Sequence, residues 1–194
     1  MELKTTTYSV LIVSAADKFT DAITGMLPES KYRPVKFASS VSEARRELLE
    51  RAYDVVIVNA PLPDEFGTRF AVDICQSGGA GVMLFVKSEH FSEISDKAGE
   101  YGVMVLSRPT SPAIVAQSLA LICATRERIR RVEQKAQTME EKMEEIRLVN
   151  RAKWILIDQL KMSEPDAHRY IEKTAMDRCV TKRAVAQSII RTYG

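Results

Sequence analysis

The chain reads as an α/β protein: a doubly wound, parallel, five-stranded sheet, followed by a long coiled-coil helix and a small all-α module of three helices. Three observations predict this. Five short apolar runs alternate with helical patterns over the first part of the chain. A seven-residue apolar repeat follows, and short amphipathic segments with their own capping residues close the sequence. The expected domains are 1–118, 119–150 and 151–194.

The runs Ser9–Val13, Pro34–Ala38, Asp54–Asn59, Val82–Val86 and Val103–Leu106 are mostly apolar. Strands covered by helices on both faces read this way, because neither face meets water. Helical patterns fill the gaps. Ser40-Val-Ser-Glu43 is a capping box that opens one of them, with Ser42 as a competing cap. Successive βα units with right-handed crossovers build a doubly wound sheet, and its functional crevice lies at the carboxyl ends of the strands.

Ile122, Ile129, Ala136, Met143 and Asn150 then recur every seventh residue, with Thr125, Val132, Met139 and Ile146 three places after the first four. Neither Gly nor Pro occurs from Ala113 to Met162, so one helix can grow out of the last helix of the sheet domain. Ile122, Ile129, Val132, Ala136, Met139, Met143 and Ile146 are the expected dimerisation residues. In a parallel pair, Arg128 and Lys135 would face Glu133 and Glu140 of the partner, while Lys142 would face Arg147. Two attractive pairs against one repulsive pair favour a parallel homodimer; Thr125, Ala136 and Asn150 weaken its core and leave packing against the chain's own first domain as the alternative.

Ser163, with Pro165 and Asp166 in the first turn, caps one short helix, and Thr181 caps another. Apolar positions at Ala167, Tyr170, Ile171 and Ala175, and at Ala184, Val185 and Ile189, keep helical spacing. Small residues at Ala152, Ala167, Ala175 and Ala186 suit close helix approach. The cations gather here: residues 151–194 hold 9 Lys/Arg against 5 Asp/Glu, whereas residues 1–118 hold 12 against 15. Such a surplus fits phosphate contacts, although solvated helix faces also reach it.

This segment resembles the ANTAR domain, an RNA-binding antitermination module found behind receiver domains in bacterial regulators. The matching residues are Ala152-Lys153, Ile155-Leu156-Ile157, Ser163-Glu164 with Ala167, Ala175-Met176, Val185-Ala186 and Ile189-Ile190. The resemblance implies a dimer that holds the loops of RNA hairpins in a leader transcript and prevents a terminator from forming. Lys153 is shared with the family motif. Arg169, Lys173, Lys182, Arg183 and Arg191 join it as RNA contacts from charge placement alone. Trp154 departs from the small residue usual after Ala-Lys, and either packs locally or offers an indole to a base.

The first domain resembles a two-component receiver, of flavodoxin-like fold, with its chemistry removed. Where a receiver has acidic residues after the first strand, this chain has Ser14-Ala15-Ala16; Asn59 takes the phosphoacceptor place, Val86 the hydroxyl switch place and Arg108 the lysine place. An amide oxygen is a poor nucleophile, and without clustered carboxylates little holds a magnesium ion. A displaced cluster of Asp17, Asp64 and Glu65 is the alternative. The resemblance to non-phosphorylated members of the family then implies control by a protein partner.

Composition excludes other classes. His90 and His168 have no ligand-spaced neighbours, Cys75, Cys123 and Cys179 form no CxxC pair and suggest buried or inert thiols, and Gly78-Gly79-Ala80-Gly81 precedes a strand rather than opening a helix. No enzyme, metal or cofactor is expected. Met1–Thr5 is unlike a secretion leader and no run spans a membrane, so a cytoplasmic protein is expected. A DNA-binding or phosphorylation-driven regulator and a protein-binding adaptor remain as rivals.

Overall fold

The computed structural model describes residues 6–194, so Met1–Thr5, the stretch expected not to be a leader, lies outside the described residues. The elements are β1 (Tyr8–Val13), α1 (Asp17–Thr24), β2 (Tyr32–Ala38), α2 (Val41–Glu50), β3 (Val55–Asn59), α3 (Thr68–Gln76), β4 (Gly81–Lys87), α4 (Ser88–Gly99), β5 (Met104–Arg108), α5 (Pro112–Leu160), α6 (Glu164–Asp177) and α7 (Lys182–Tyr193). The five strands form one parallel sheet in the order β2-β1-β3-β4-β5. This is the doubly wound fold expected.

Alternation along the strands divides the core into two layers. Leu11, Val13, Val56, Val58, Leu84 and Val86 pack with residues of α2, α3 and α4, including Ala44, Phe70 and Ala98. Val10, Ile12, Val55, Ile57, Met83 and Phe85 pack on the other side with Ile23 of α1 and Val115, Leu119, Ile122 and Cys123 of α5. β3 is buried along its whole length and β1 at every residue but Ser9, which is why their sequences show no polar alternation.

At the start of α2, Ser40 Oγ accepts from the Glu43 N–H at 3.2 Å. The return bond is displaced by one residue: Glu43 Oε2 accepts from the Ser39 N–H at 2.7 Å and from the Ser39 hydroxyl at 2.8 Å. These two bonds hold the Glu43 carboxyl below the usual carboxylate range.

The chain divides into two compact units, Met1–Ile129 and Arg130–Gly194, and α5 contributes to both. One dimerisation residue needs correction. Ile122 is buried in the core of the first unit, beside Gly81, rather than standing on an open helix face. Its heptad phase is shared with the core-facing phase of the same helix, because Val115 and Leu119 precede it by seven and three residues. Ile129, Val132, Met139, Met143 and Ile146 are 43–67% exposed and Ala136 is exposed as well.

Gly81 opens β4 where a Cβ would lie 2.3 Å from Ile122 Cγ2. Gly81→Ala is therefore expected to force the stiff, β-branched Ile122 aside and destabilise the first unit by about 1–3 kcal/mol. Chemical denaturation should show that the double variant with Ile122→Ala loses less than the two single losses combined; strict additivity would reject the contact as the cause. The rest of the glycine run forms a turn, with Gly78 at φ 77°.

Cys75 is partly covered, Cys123 is buried, and burial pushes both thiols up in pKa. Cys179 is an exposed free thiol, so of the two readings, buried or inert, burial does not apply to it.

In the second unit the last turns of α5 pack with α6 and α7 around Ala152, Leu156, Ala167, Ile171, Ala175, Val185, Ala186 and Ile189. The four alanines expected at close approaches are all in this core. Ser163 Oγ and Thr181 Oγ1 accept from the N–H groups of Asp166 and Ala184, at 3.3 and 3.2 Å, as N-caps of α6 and α7.

Candidate nucleic-acid interface

The second unit sorts its cations by helical phase. On α6, Ala167, Ile171 and Ala175 turn inward, which leaves Arg169 and Lys173, one turn apart, on the outer surface. On α7, Val185, Ala186 and Ile189 turn inward and Arg183 and Arg191 outward. These four cations are exposed and make no ion pair among the described residues.

Lys153 and Lys182 are placed differently. Lys153 Nζ lies 3.0 Å from Glu164 Oε1, with its side chain only 17% exposed. Lys182 Nζ lies 2.5 Å from Glu172 Oε1, and His168 Nε2 lies 3.4 Å from the same oxygen. The Lys182 hydrogen bond and charge hold the Glu172 carboxyl below its ordinary range. Each lysine ties α6 to a neighbouring helix, so a phosphate must compete with a carboxylate for it.

Trp154 is 71% exposed, two residues from the buried Ala152 and Leu156 and so on the opposite side of α5. Its packed alternative does not occur within the described residues. Arg151, one turn earlier, Lys161 and Arg178 are also exposed cations that the charge-placement reading passed over. The spacing of Arg151 and Trp154 was the signal available for the first; the others are visible only as part of the regional surplus.

The carboxyl end of the sheet holds the second group of expected sites. Asn59 ends β3 nearly buried, donating from Nδ2 to Ser14 Oγ at 2.9 Å, while its Oδ1 is buried without a hydrogen-bond partner among the described residues. Arg108 ends β5 and donates from Nη2 to the Ala60 carbonyl; its Nε is buried without a partner among the described residues, and burial lowers the guanidinium pKa. Ser88 Oγ donates to the Arg108 carbonyl at 2.9 Å.

Val86 does not belong to this rim, which corrects the expected switch position. Alternation sends Val86 into the layer beneath α2, α3 and α4, whereas Asn59 and Arg108 lie in phase with Phe85 and Leu106 on the other face. Lys87, paired across from Arg108, occupies the strand-end position in that phase. The error is one residue, and one residue reverses the face.

Asp64 is also committed elsewhere. Its carboxylate accepts from the N–H groups of Val41 and Ser42 at 3.0 and 2.8 Å, capping α2, and these bonds lower its pKa to about 2. Among the described residues no group of three or more His, Cys, Asp or Glu is placed to hold a metal ion.

A doubly wound sheet domain is thus followed by a helical module with an exposed cationic surface. Residues 137–190 match the model of the ANTAR domain, so an ANTAR domain follows an N-terminal domain of receiver-like fold. It is similar to the transcriptional regulatory protein PdtaR of Mycobacterium tuberculosis, 29% identical over 170 residues that cover 87% of this chain and 82% of the relative. The sheet domain is similar to the signal receiver domain of an HD domain-containing protein from Pseudomonas fluorescens, with TM-score 0.58 and 20% identity over 68% of this chain and 97% of that one. A CheY-like receiver domain from Methanospirillum hungatei gives TM-score 0.54 and 18% identity, over 63% and 98% of the two chains. No helix among the described residues is long and apolar enough to cross a membrane.

Proposed function

We propose that this protein is a cytoplasmic antiterminator that binds hairpin loops of leader transcripts as a parallel homodimer, without catalysing a reaction. The observation that carries the RNA reading is the set of exposed cations without an ion pair among the described residues, Arg169, Lys173, Arg183 and Arg191, on a module matched by the ANTAR domain. Ion-pairing cations release counterions from a phosphate backbone, and an exposed indole at Trp154 adds a stacking platform for an unpaired base. The open apolar residues Ile129, Val132, Met139, Met143 and Ile146 support self-association along α5.

Control by a protein partner, rather than by phosphate transfer, is the reading that the rim of the sheet supports. Asn59 presents an amide where a nucleophilic carboxylate would be needed, Asp64 is occupied as a helix cap, and Arg108 is bonded to the Ala60 carbonyl. In this reading a partner occupies the sheet domain or α5 and withholds the module from RNA. The domains act as 1–118 for reception, 119–150 for pairing and 151–194 for RNA contact.

Hairpins with randomised loops on a fixed stem, passed over the full-length protein, test the reading. A discrete set should be retained, and Arg169→Ala with Arg183→Ala should weaken its binding and reduce the salt slope by about 0.7 per lost contact. Retention of duplex DNA in preference to every hairpin would overturn the RNA assignment. Incorporation of labelled phosphate from acetyl phosphate into the sheet domain would overturn the control mechanism alone.

A further inference from the structure

We infer that the cleft between α6 and α7 is a pocket for one unpaired RNA base, walled by Tyr170 and Tyr193 with Arg178 at its margin for the adjoining phosphate. The inference rests on the RNA reading above and adds what that reading lacks: a place where the identity of a base is felt.

The cleft encloses about 140 Å³ and lies wholly within the second unit. On the same measure a cavity needs only about 10–15 Å³ to hold one water molecule, so the cleft is roughly ten times that size. It arises from residue size. Tyr170 and Thr174 lie one turn apart on α6 and Arg178 is its C-cap, and small hydroxyl residues, Thr174 on α6 and Ser188 on α7, line a gap that larger side chains would fill. Val185 and Ile189, which belong to the module's core, supply apolar surface beneath.

Its walls are suited to a planar, polar-edged ligand. Tyr170 and Tyr193 are 44% and 46% exposed, and they make no ring contact with each other among the described residues. Each therefore keeps uncovered aromatic surface beside the gap. The Thr174 and Ser188 hydroxyls make no side-chain hydrogen bond among the described residues, so they remain available to a base edge, whereas Thr192 Oγ1 is used on the Ser188 carbonyl at 2.9 Å.

Charge selects a nucleic acid over an apolar peptide as the occupant. Arg178 is exposed and makes no ion pair among the described residues, and Arg169 and Arg191 neighbour Tyr170 and Thr192 in sequence. A pocket of this size admits a base turned out of a loop and excludes a paired one, which is how single-stranded RNA is read.

The test uses full-length protein and a hairpin retained from the randomised-loop pool. Tyr170→Ala and Tyr193→Ala should each raise Kd about 5- to 100-fold without altering the salt slope, because stacking carries no charge. Tyr170→Leu and Tyr193→Leu retain apolar bulk and should show the same loss, which separates a missing ring face from damaged folding. Arg178→Ala should reduce the slope by about 0.7. Scanning the loop with abasic nucleotides should find one position whose removal weakens wild type as strongly as the Tyr→Leu changes and weakens those variants no further. Losses that simply add, or folded Tyr→Leu variants with wild-type affinity, would overturn the pocket while leaving the RNA reading standing. A wild-type protein that retains no hairpin overturns both.

Discussion

Leu156→Ala is expected to melt the C-terminal module well below the temperature at which the sheet domain unfolds. Leu156 is 1% exposed and is the largest side chain, with Ile171, among the fully buried residues of that core. The core's other buried members include four alanines, so few neighbours can move in to refill the space. Large-to-small changes at such sites cost about 2–5 kcal/mol. A core in a unit of this size rarely supplies more than about 3–5 kcal/mol, so the loss consumes most of the module's stability. Calorimetry should show an early transition for α6 and α7 and an unchanged later one for the sheet. Hairpin binding should vanish above the first. A single transition that shifts as a whole would mean that the two units do not unfold independently.

The second large effect concerns pairing. Val132 and Met139 are 62% and 67% exposed, and both occupy the expected seam. Val132→Glu together with Met139→Glu places like charges opposite each other in a parallel pair, while exposed substitutions of this kind change monomer stability by only about 0.5 kcal/mol. Sedimentation equilibrium should give a protomer. If two modules of one dimer engage one transcript, the loss of linked binding should raise Kd about 10²- to 10⁴-fold, more than removal of any single cation. Dimers that survive both substitutions would place the self-association surface elsewhere.

The sheet was legible because parallel strands covered on both faces leave nearly unbroken aliphatic runs, and Val55–Val58 and Val82–Val86 are such runs. Ser163 and Thr181 were legible as caps because a short side chain bonding three residues ahead depends on local sequence alone. The switch position was misplaced at Val86 because strand ends are uncertain by a residue, and in a period-two element that uncertainty decides the face. Ile122 satisfied both a heptad and the core-facing stripe of the same helix, and periodicity alone cannot choose between them.

By itself, the sequence determined the order of elements, the helix boundaries set by capping chemistry, and the concentration of cations in the last 44 residues, since these follow from spacing and composition. Tertiary structure decided which of those cations are available. Lys153 and Lys182 meet Glu164 and Glu172 across helix interfaces, and Tyr170 and Tyr193, distant in sequence, bound one cleft. The physical reason is that a helical stripe specifies the direction of a side chain, whereas its partner depends on the neighbouring helix that packing brings within a few ångströms.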